Sequence, residues 1–324
     1  MKQNKQPEHG QSAPSRREFL NGAAQAAGAA AIATSLPGLA SATPPSGQAW
    51  SLVAEWVPQT FGEGTTVQIV RYRPDAGGPM RGSLPFLEGT EFEPTSLRIT
   101  NNTDIPLHPH IPGVGTAPTI WPGQVGGMRF PLPPAGTHLL YSDAADRISD
   151  QLGLGALIVS RPVSGLQEIW SGGPTFDREY VMLYQDIDNR WNSQIAQRIR
   201  PDMSDYEPNF FTVNGLIYPD TASDADTTIA CNLGEKVLIR FGNLGRMRHA
   251  IHFHGYHVEI IDTNNQPELH LPKKDTFGLP YASTVNAILT PHQVGVYPLH
   301  PHSLTAVTSN GLYPFGQLAL IVVS

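Results

Sequence analysis

The chain has 324 residues, including 31 glycines and 30 prolines, and carries a formal net charge of −7 at pH 7. Its length allows two ordinary domains, and the glycines and prolines between short apolar runs favour strands and turns over helices. The acidic balance argues against nucleic acid or an anionic membrane as a partner. A single cysteine, Cys231, excludes an intrachain disulfide.

Residues 1–42 have the layout of a twin-arginine export signal. Arg16 and Arg17 precede a weakly apolar, alanine-rich stretch, and Ala40-Ser41-Ala42 offers a small-residue cleavage site. A membrane anchor is the alternative, but the apolar run is short and ends at Pro37. Because this pathway exports folded proteins, we expect a periplasmic or secreted mature chain with no membrane attachment after signal cleavage.

Two sets of short apolar-alternating segments follow the signal. The first domain is predicted over residues 43–162 and opens with a flexible leader that reaches residue 50. A linker rich in Pro, Ser and Gly is predicted over 163–176, and a second domain over 177–324, with one helical turn of note between Asp188 and Asn209. Each set ends in an apolar strand, and the second set includes one strand predicted over residues 252–261. The sequence therefore predicts an all-β protein made of two related β-sandwiches.

Three histidine pairs with the same spacing lie in strand-like contexts. They are His108-Pro109-His110, His252-Phe253-His254 and His300-Pro301-His302. Residues two apart on a strand point to the same face, so each pair can aim two imidazoles at one point. Imidazole is a good ligand for copper, zinc, iron and nickel. The sequence therefore predicts a shared metal site with six histidine ligands.

The residues around these pairs resemble the motifs of the multicopper oxidase superfamily. Residues 248–255 look like its His-Pro-x-His-x-His-Gly motif, and residues 97–114 are similar to its first copper motif. Residues 295–302 resemble its last motif, Gly-x-Trp-x-x-His-Cys-His. The resemblance covers roughly residues 50–324. It implies two cupredoxin-like Greek-key domains without the middle domain of three-domain laccases.

The resemblance also implies copper as the cofactor. In that family an electron enters at a type 1 blue copper and passes to a trinuclear cluster, where oxygen is reduced to water. Four His-x-His pairs hold the cluster. Matched position by position, His108 and His252 resemble its type 2 copper ligands. The type 3 ligands are matched by His110, His254, His300 and His302.

The fourth pair departs from the family pattern. Counted from Gly136-Thr137, Tyr141 and Asp143 stand where two histidines are expected. Tyr141 can coordinate a metal, donate a proton or carry a radical, and Asp143 can ligate, orient a histidine or act as an acid or base. The alternative is that both fill vacated space and form hydrogen bonds to histidines. We take them as the candidate catalytic residues.

The positions that match the type 1 copper ligands differ even more from the family pattern. Pro301 occupies its cysteine position, and Ala306 and Leu312 fall near its second histidine and its methionine. Only His249 remains of that set, and without a thiolate no blue copper is expected. Strand parity predicts that His249 and Pro301 point to the opposite face from the cluster histidines.

These features imply a periplasmic copper-dependent oxidoreductase with a non-blue site. It would act directly on a small reducing substrate, phenolic or inorganic, with oxygen or peroxide. The alternatives are a non-catalytic scaffold resembling twin-arginine-exported cell-division proteins, a nitrite-reductase-like enzyme, and a mononuclear His/His/Asp site that uses Asp143 to hold iron or another metal. By analogy with two-domain oxidases and copper nitrite reductases, we expect a homotrimer in which His108 and His110 face the other four histidines of a neighbouring subunit.

Overall fold

The computed structural model describes residues 47–62, 64–142, 152–268 and 271–324. These residues form twenty-one strands and one α-helix, arranged in four sheets. Within these ranges no helix is long and apolar enough to span a membrane. The predicted export signal and Asp143 lie outside the described residues.

The first half of the chain is a sandwich of two sheets, with strand orders β2-β1-β5-β8 and β3-β4-β10-β9-β6-β7. Side chains from both sheets fill its core, among them Leu52 and Ile99 from one sheet and Leu140 and Ile158 from the other. The strands are β1 (Gln48–Thr60), β2 (Thr66–Pro74), β3 (Met80–Arg81), β4 (Leu84–Thr90), β5 (Pro94–Asn101), β6 (Pro109–Ile111), β7 (Gly115–Thr116), β8 (Val125–Pro131), β9 (Gly136–Ser142) and β10 (Gly155–Arg161).

The second half is another sandwich, with strand orders β12-β11-β14-β19-β16-β17 and β13-β21-β20-β15-β18. Phe241 and Val285 of one sheet meet Ile251 and Leu299 of the other in its core. Its elements are β11 (Arg178–Ile187), α1 (Asn189–Ala196), β12 (Phe210–Val213), β13 (Ile229–Cys231), β14 (Val237–Asn243), β15 (His249–Phe253), β16 (Glu259–Thr263), β17 (Gln266–Pro267), β18 (Thr276–Leu279), β19 (Ser283–Leu289), β20 (Gly295–Pro301) and β21 (Ala319–Val323).

The all-β prediction of two cupredoxin-like sandwiches is confirmed, with two corrections to individual segments. The flexible leader is shorter than predicted, because β1 begins at Gln48 and the Trp50 side chain is buried in the first core. The segment predicted as one strand over residues 252–261 is two strands, β15 and β16. Gly255 has φ +76°, a left-handed conformation that ends the extended backbone between them.

The one α-helix of the described ranges, α1, lies where the sequence predicts it. Asp188 caps its first turn by accepting hydrogen bonds from the backbone N–H groups of Arg190 and Trp191. Trp191 and Ile195 on one helix face are buried against the first sandwich. The Asn192 amide donates to the Gln68 backbone carbonyl at 2.6 Å, so the helix also ties the two halves together.

An apolar cluster and a partly buried ion-pair network join the two sandwiches. Leu139 and Leu157 of the first pack with Val181 and Leu183 of the second. Arg161 binds Glu88 at 2.9 Å and Glu179 at 2.6 Å, and Glu179 also binds the fully buried Arg240 at 2.6 Å. The position of the first sandwich relative to the second is therefore set by complementary packing and charge.

Candidate metal centre

Strands β15 and β20 place four of the six predicted ligands on one sheet face. They pair antiparallel with His252 directly opposite His300. On β15 the buried Ile251 and Phe253 alternate with His252 and His254, which lie on the outer face. The same alternation along β20 and the residue after it places His300 and His302 on that face.

The four imidazoles converge on one another. The His252 ring centroid lies 4.7 Å from that of His254, 5.9 Å from that of His300 and 5.2 Å from that of His302. His254 and His302 are exposed, whereas His252 and His300 are partly buried. The cluster therefore opens to solvent on the outer face of the second sandwich.

The closest pair shares one proton. The Nε2 atoms of His254 and His300 lie 2.9 Å apart, and His300 Nδ1 lies 2.8 Å from the Pro301 carbonyl oxygen. A carbonyl only accepts, so His300 Nδ1 carries a proton. Burial and the neighbouring imidazoles lower the pKa of both rings, which favours neutral rings near pH 7. In a neutral His300, Nε2 then accepts, and His254 Nε2 is the donor.

The pair from the first sandwich lies at the start of the short strand β6. The backbone N–H of His108 donates to the Ser142 hydroxyl at 3.0 Å, and this bond ties the pair to β9. His108 Nδ1 lies 3.3 Å from Thr119 Oγ1, and His110 Nδ1 lies 2.8 Å from Thr116 Oγ1. Both rings are partly buried and held at Nδ1, which leaves their Nε2 atoms for a ligand.

Tyr141 lies against the first-sandwich pair. Its side chain is buried, and its ring meets the edge of the His110 ring at 5.2 Å between centroids. The ring of Tyr281, from the turn after β18, lies 6.5 Å from the Tyr141 ring between centroids. Of the two candidate catalytic residues, Tyr141 is thus next to a predicted ligand, and Asp143 falls outside the described residues.

The structure brings four predicted ligands together in one group and two in another. Among the described residues no hydrogen bond or ring contact joins His108 or His110 to the second-sandwich cluster. Nor does that part of the chain contain three or more His, Cys, Asp or Glu side chains arranged to hold one ion. The described residues of one chain therefore form two partial sites.

The four histidines that the second sandwich brings together are suitable ligands for copper. At metal–nitrogen distances of about 2.0–2.1 Å, two nitrogens bound at right angles to one ion lie about 2.9 Å apart. The Nε2 atoms of His254 and His300 have this separation. His252 and His302 add imidazoles beside them, and all four are nitrogen donors of the kind that suits copper. Copper bound there would supply one-electron redox chemistry.

The region matched to the type 1 site is mostly buried and mostly apolar, unlike the solvent-facing histidine cluster. His249 is fully buried on the inner face of β15, and Pro301 is buried on β20 opposite Ile251, as the strand parity predicts. His249 Nε2 lies 3.6 Å from a carboxylate oxygen of the buried Asp186, and its ring lies 6.0 Å from that of Tyr184. Hydrocarbon side chains occupy the other matched positions, namely Pro301, Ala306 and Leu312.

Cys231 is not a substitute ligand. It lies on β13, its side chain is buried in the second core, and it is a free thiol. Burial raises its pKa, which keeps the thiol protonated at neutral pH. It is therefore a structural core residue.

Sequence reasoning missed the three threonines that contact ligand rings. Two of them are Thr116 and Thr119, described above. The third is Thr276, whose Oγ1 lies 2.9 Å from His252 Nδ1. It also missed Tyr281. Thr276 is 24 residues from His252 in the chain. Only the pairing of β15 with β18 brings Thr276 and His252 together, so no local sequence motif marks Thr276.

The comparisons with known proteins agree with this architecture. Residues 190–314 match the family model described as multicopper oxidase. The structure of a blue copper oxidase from Nitrosomonas europaea is similar at TM-score 0.73 and 19% identity, covering 85% of this chain and 86% of that chain. A copper nitrite reductase from the same organism is similar at TM-score 0.67 and 16% identity, with coverages of 86% and 93%. No curated protein sequence gives a significant match.

Residues 190–314 are therefore similar in sequence to multicopper oxidases. The chain as a whole has the two-domain cupredoxin-like fold that multicopper oxidases and copper nitrite reductases share.

Proposed function

We propose that this protein is a copper-dependent oxidoreductase with a non-blue, histidine-ligated site. It acts directly on a small reducing substrate, such as a phenol, with oxygen or peroxide as the oxidant. The observation that carries the proposal is the solvent-facing cluster of four imidazoles, in which His254 and His300 have ligand spacing. An exposed cluster gives a small substrate direct access to the metal.

Direct access matters because no relay site is expected. A blue copper centre needs a thiolate, and Pro301 supplies none. His249, the remaining match, is enclosed in the core beside Asp186. Electrons therefore enter this site from the substrate itself.

Tyr141 is the proposed proton or radical carrier, and Asp143 the proposed acid, base or orienting carboxylate. The contact of Tyr141 with His110 supports the first role. A phenol next to a ligand ring is within reach of a substrate bound at that metal. Both residues work through the half-site that His108 and His110 form.

The complete site is proposed to form between subunits, in a homotrimer. The two histidine groups do not meet within the described chain, so each needs a partner from elsewhere. Large apolar side chains are exposed beside both groups: Trp121 lies two residues from Thr119, and Leu304 lies two residues from His302. Burying such surface favours association. A monomer that still binds copper through both halves would contradict this assembly.

The site of action is proposed to be the periplasm or the cell exterior. The twin-arginine layout of residues 1–42 supports export of a folded protein. Fusion of residues 1–50 to a folded reporter tests it, with Arg16 and Arg17 changed to Lys as the control. Export of the changed fusion at the wild-type level would contradict it.

A single substitution tests copper binding. His252 contacts all three other rings of the cluster, so His252→Ala should abolish stoichiometric copper binding. His257→Ala is the matched control, because His257 is exposed and lies five residues further along the chain. If His252→Ala keeps its copper, the shared site does not exist.

A nitrite-reductase-like activity is the second candidate. It is favoured by the similarity to the copper nitrite reductase, of which 93% is covered. Reduction of nitrite by the copper-loaded protein with an artificial electron donor, measured beside oxidation of a phenol, distinguishes the two. A protein that folds without binding copper would instead fit the scaffold alternative.

A further inference from the structure

Three histidines of the candidate site make the same contact through the same atom. The Nδ1 atoms of His108, His110 and His252 each lie within 3.3 Å of a threonine hydroxyl. The threonines are, in the same order, Thr119, Thr116 and Thr276. The two halves of the site, between which the described residues form no hydrogen bond or ring contact, therefore use the same type of contact.

Each threonine is the cross-strand neighbour of its histidine. Thr276 on β18 is directly opposite His252 on β15, and Thr116 on β7 is directly opposite His110 on β6. The antiparallel bridge between Leu107 and Ile120 likewise places Thr119 opposite His108. Side chains at such paired positions are close enough to interact directly.

We infer that Thr116, Thr119 and Thr276 are positioning residues that accept the Nδ1 proton of their histidines and so present Nε2 to the metal. This inference rests on the proposed function. A neutral imidazole has one N–H and one lone pair, so a proton held at Nδ1 leaves the lone pair on Nε2. A threonine side chain has few allowed χ1 rotamers, which fixes the position of its hydroxyl.

His300 supports the direction of the proton. Its Nδ1 lies against the Pro301 carbonyl oxygen, which only accepts, so its Nδ1 carries the proton. Four of the six predicted ligands then follow one rule, with Nδ1 bound to the protein and Nε2 directed outward. Metal-bound histidines are held in this way by the groups around them, which set the tautomer and the ring orientation.

The tautomer can be read in metal-free protein by long-range proton–nitrogen correlation of the imidazoles, at a pH where the rings are neutral. We expect His252 to be protonated at Nδ1 in the wild type. Thr276→Val keeps the shape and removes the acceptor, so His252 should shift toward the Nε2–H form that predominates in free histidine. Thr276→Ser should restore the wild-type spectrum. A wild-type His252 protonated at Nε2, or a Thr276→Val spectrum that is unchanged, overturns the inference.

Copper affinity provides the second readout. Thr276→Val should weaken copper binding about 10- to 100-fold, and Thr276→Ser should recover most of it. Thr116→Val on the other half gives an independent variant if Thr276→Val fails to fold. Wild-type affinity in folded Thr276→Val and Thr116→Val proteins refutes the positioning role while the proposed function stands. A wild type without copper refutes the proposed function, and the tautomer spectrum still reports on the threonines.

Discussion

His254 and His300 occupy diagonal positions on adjacent strands, with their Nε2 atoms 2.9 Å apart. This contact exists because His252 is the directly paired residue opposite His300, and His254, the residue after β15, is the next one on the same outward face. The Pro301 carbonyl fixes the His300 proton at Nδ1, so the shared proton belongs to His254. It must leave Nε2 before both nitrogens can bind one ion.

Removal of either ring should lower copper affinity. His254→Ala and His300→Ala each delete one of the two nitrogens at ligand spacing, so we expect a loss of more than about tenfold. His257→Ala should leave the affinity unchanged. Titration with a competing copper chelator measures it. Equal affinities in all four proteins would place the copper elsewhere.

Tyr141→Phe tests the proposed proton or radical role. The change removes only the hydroxyl, and the ring contact with His110 remains. We expect unchanged copper content and turnover reduced about 100-fold, the usual scale of a lost proton-transfer group. Tyr281→Phe, whose ring lies 6.5 Å from that of Tyr141, is the control and should stay within a few-fold of the wild type. Full activity in Tyr141→Phe would make that residue space-filling.

Glu179 should hold the two sandwiches together. Burial alone would raise its pKa, but Arg240 and Arg161 overcome that effect and hold it at about 2. Glu179→Gln leaves Arg240, which is fully buried, without its counter-charge, so we expect a loss of about 3 kcal/mol in the free energy of unfolding. Glu259→Gln removes an exposed ion pair with Lys273 and should cost less than about 1 kcal/mol. Denaturant unfolding of both variants measures the difference.

The same carboxylate predicts a pH dependence. Its folded pKa lies below the ordinary glutamate value of 4.5. The stabilisation is therefore complete above about pH 4.5 and is lost as the pH falls toward 2. The stability difference between wild type and Glu179→Gln should shrink over that range. A difference that stays constant from pH 6 to pH 3 would show that Glu179 is not depressed in the folded protein.

Gly136 is required where β9 meets the second sandwich. It has φ +153°, and a Cβ there would collide with the side chain of Asn265, whose Oδ1 accepts a hydrogen bond from the Thr137 backbone N–H. Gly136→Ala should destabilise the protein by about 2–4 kcal/mol. Gly165→Ala, at φ +68° with open space around it, carries only the backbone strain, about 1 kcal/mol. Thermal unfolding measures the stability of both variants. Equal losses of stability would contradict the predicted collision at Gly136.

Part of this site could be predicted from the sequence, because strand periodicity is local information. The outward faces of His252 and His300 and the buried faces of His249 and Pro301 follow from counting by two. The threonine partners of the histidines could not be predicted. They depend on the registers of β18 against β15 and of β7 against β6, which are set by packing along the whole sheet. The combined strand over residues 252–261 is wrong for a local reason, since Gly255 adopts a left-handed conformation.

We propose that this chain holds copper through histidines and has no type 1 site. Copper content per chain, measured together with the optical and electron paramagnetic resonance spectra of protein matured in a copper-supplemented periplasm, tests it most directly. We expect at least one copper per chain, a non-blue spectrum and nitrogen hyperfine structure from imidazole. Protein without stoichiometric copper, or an intense blue colour, would contradict it.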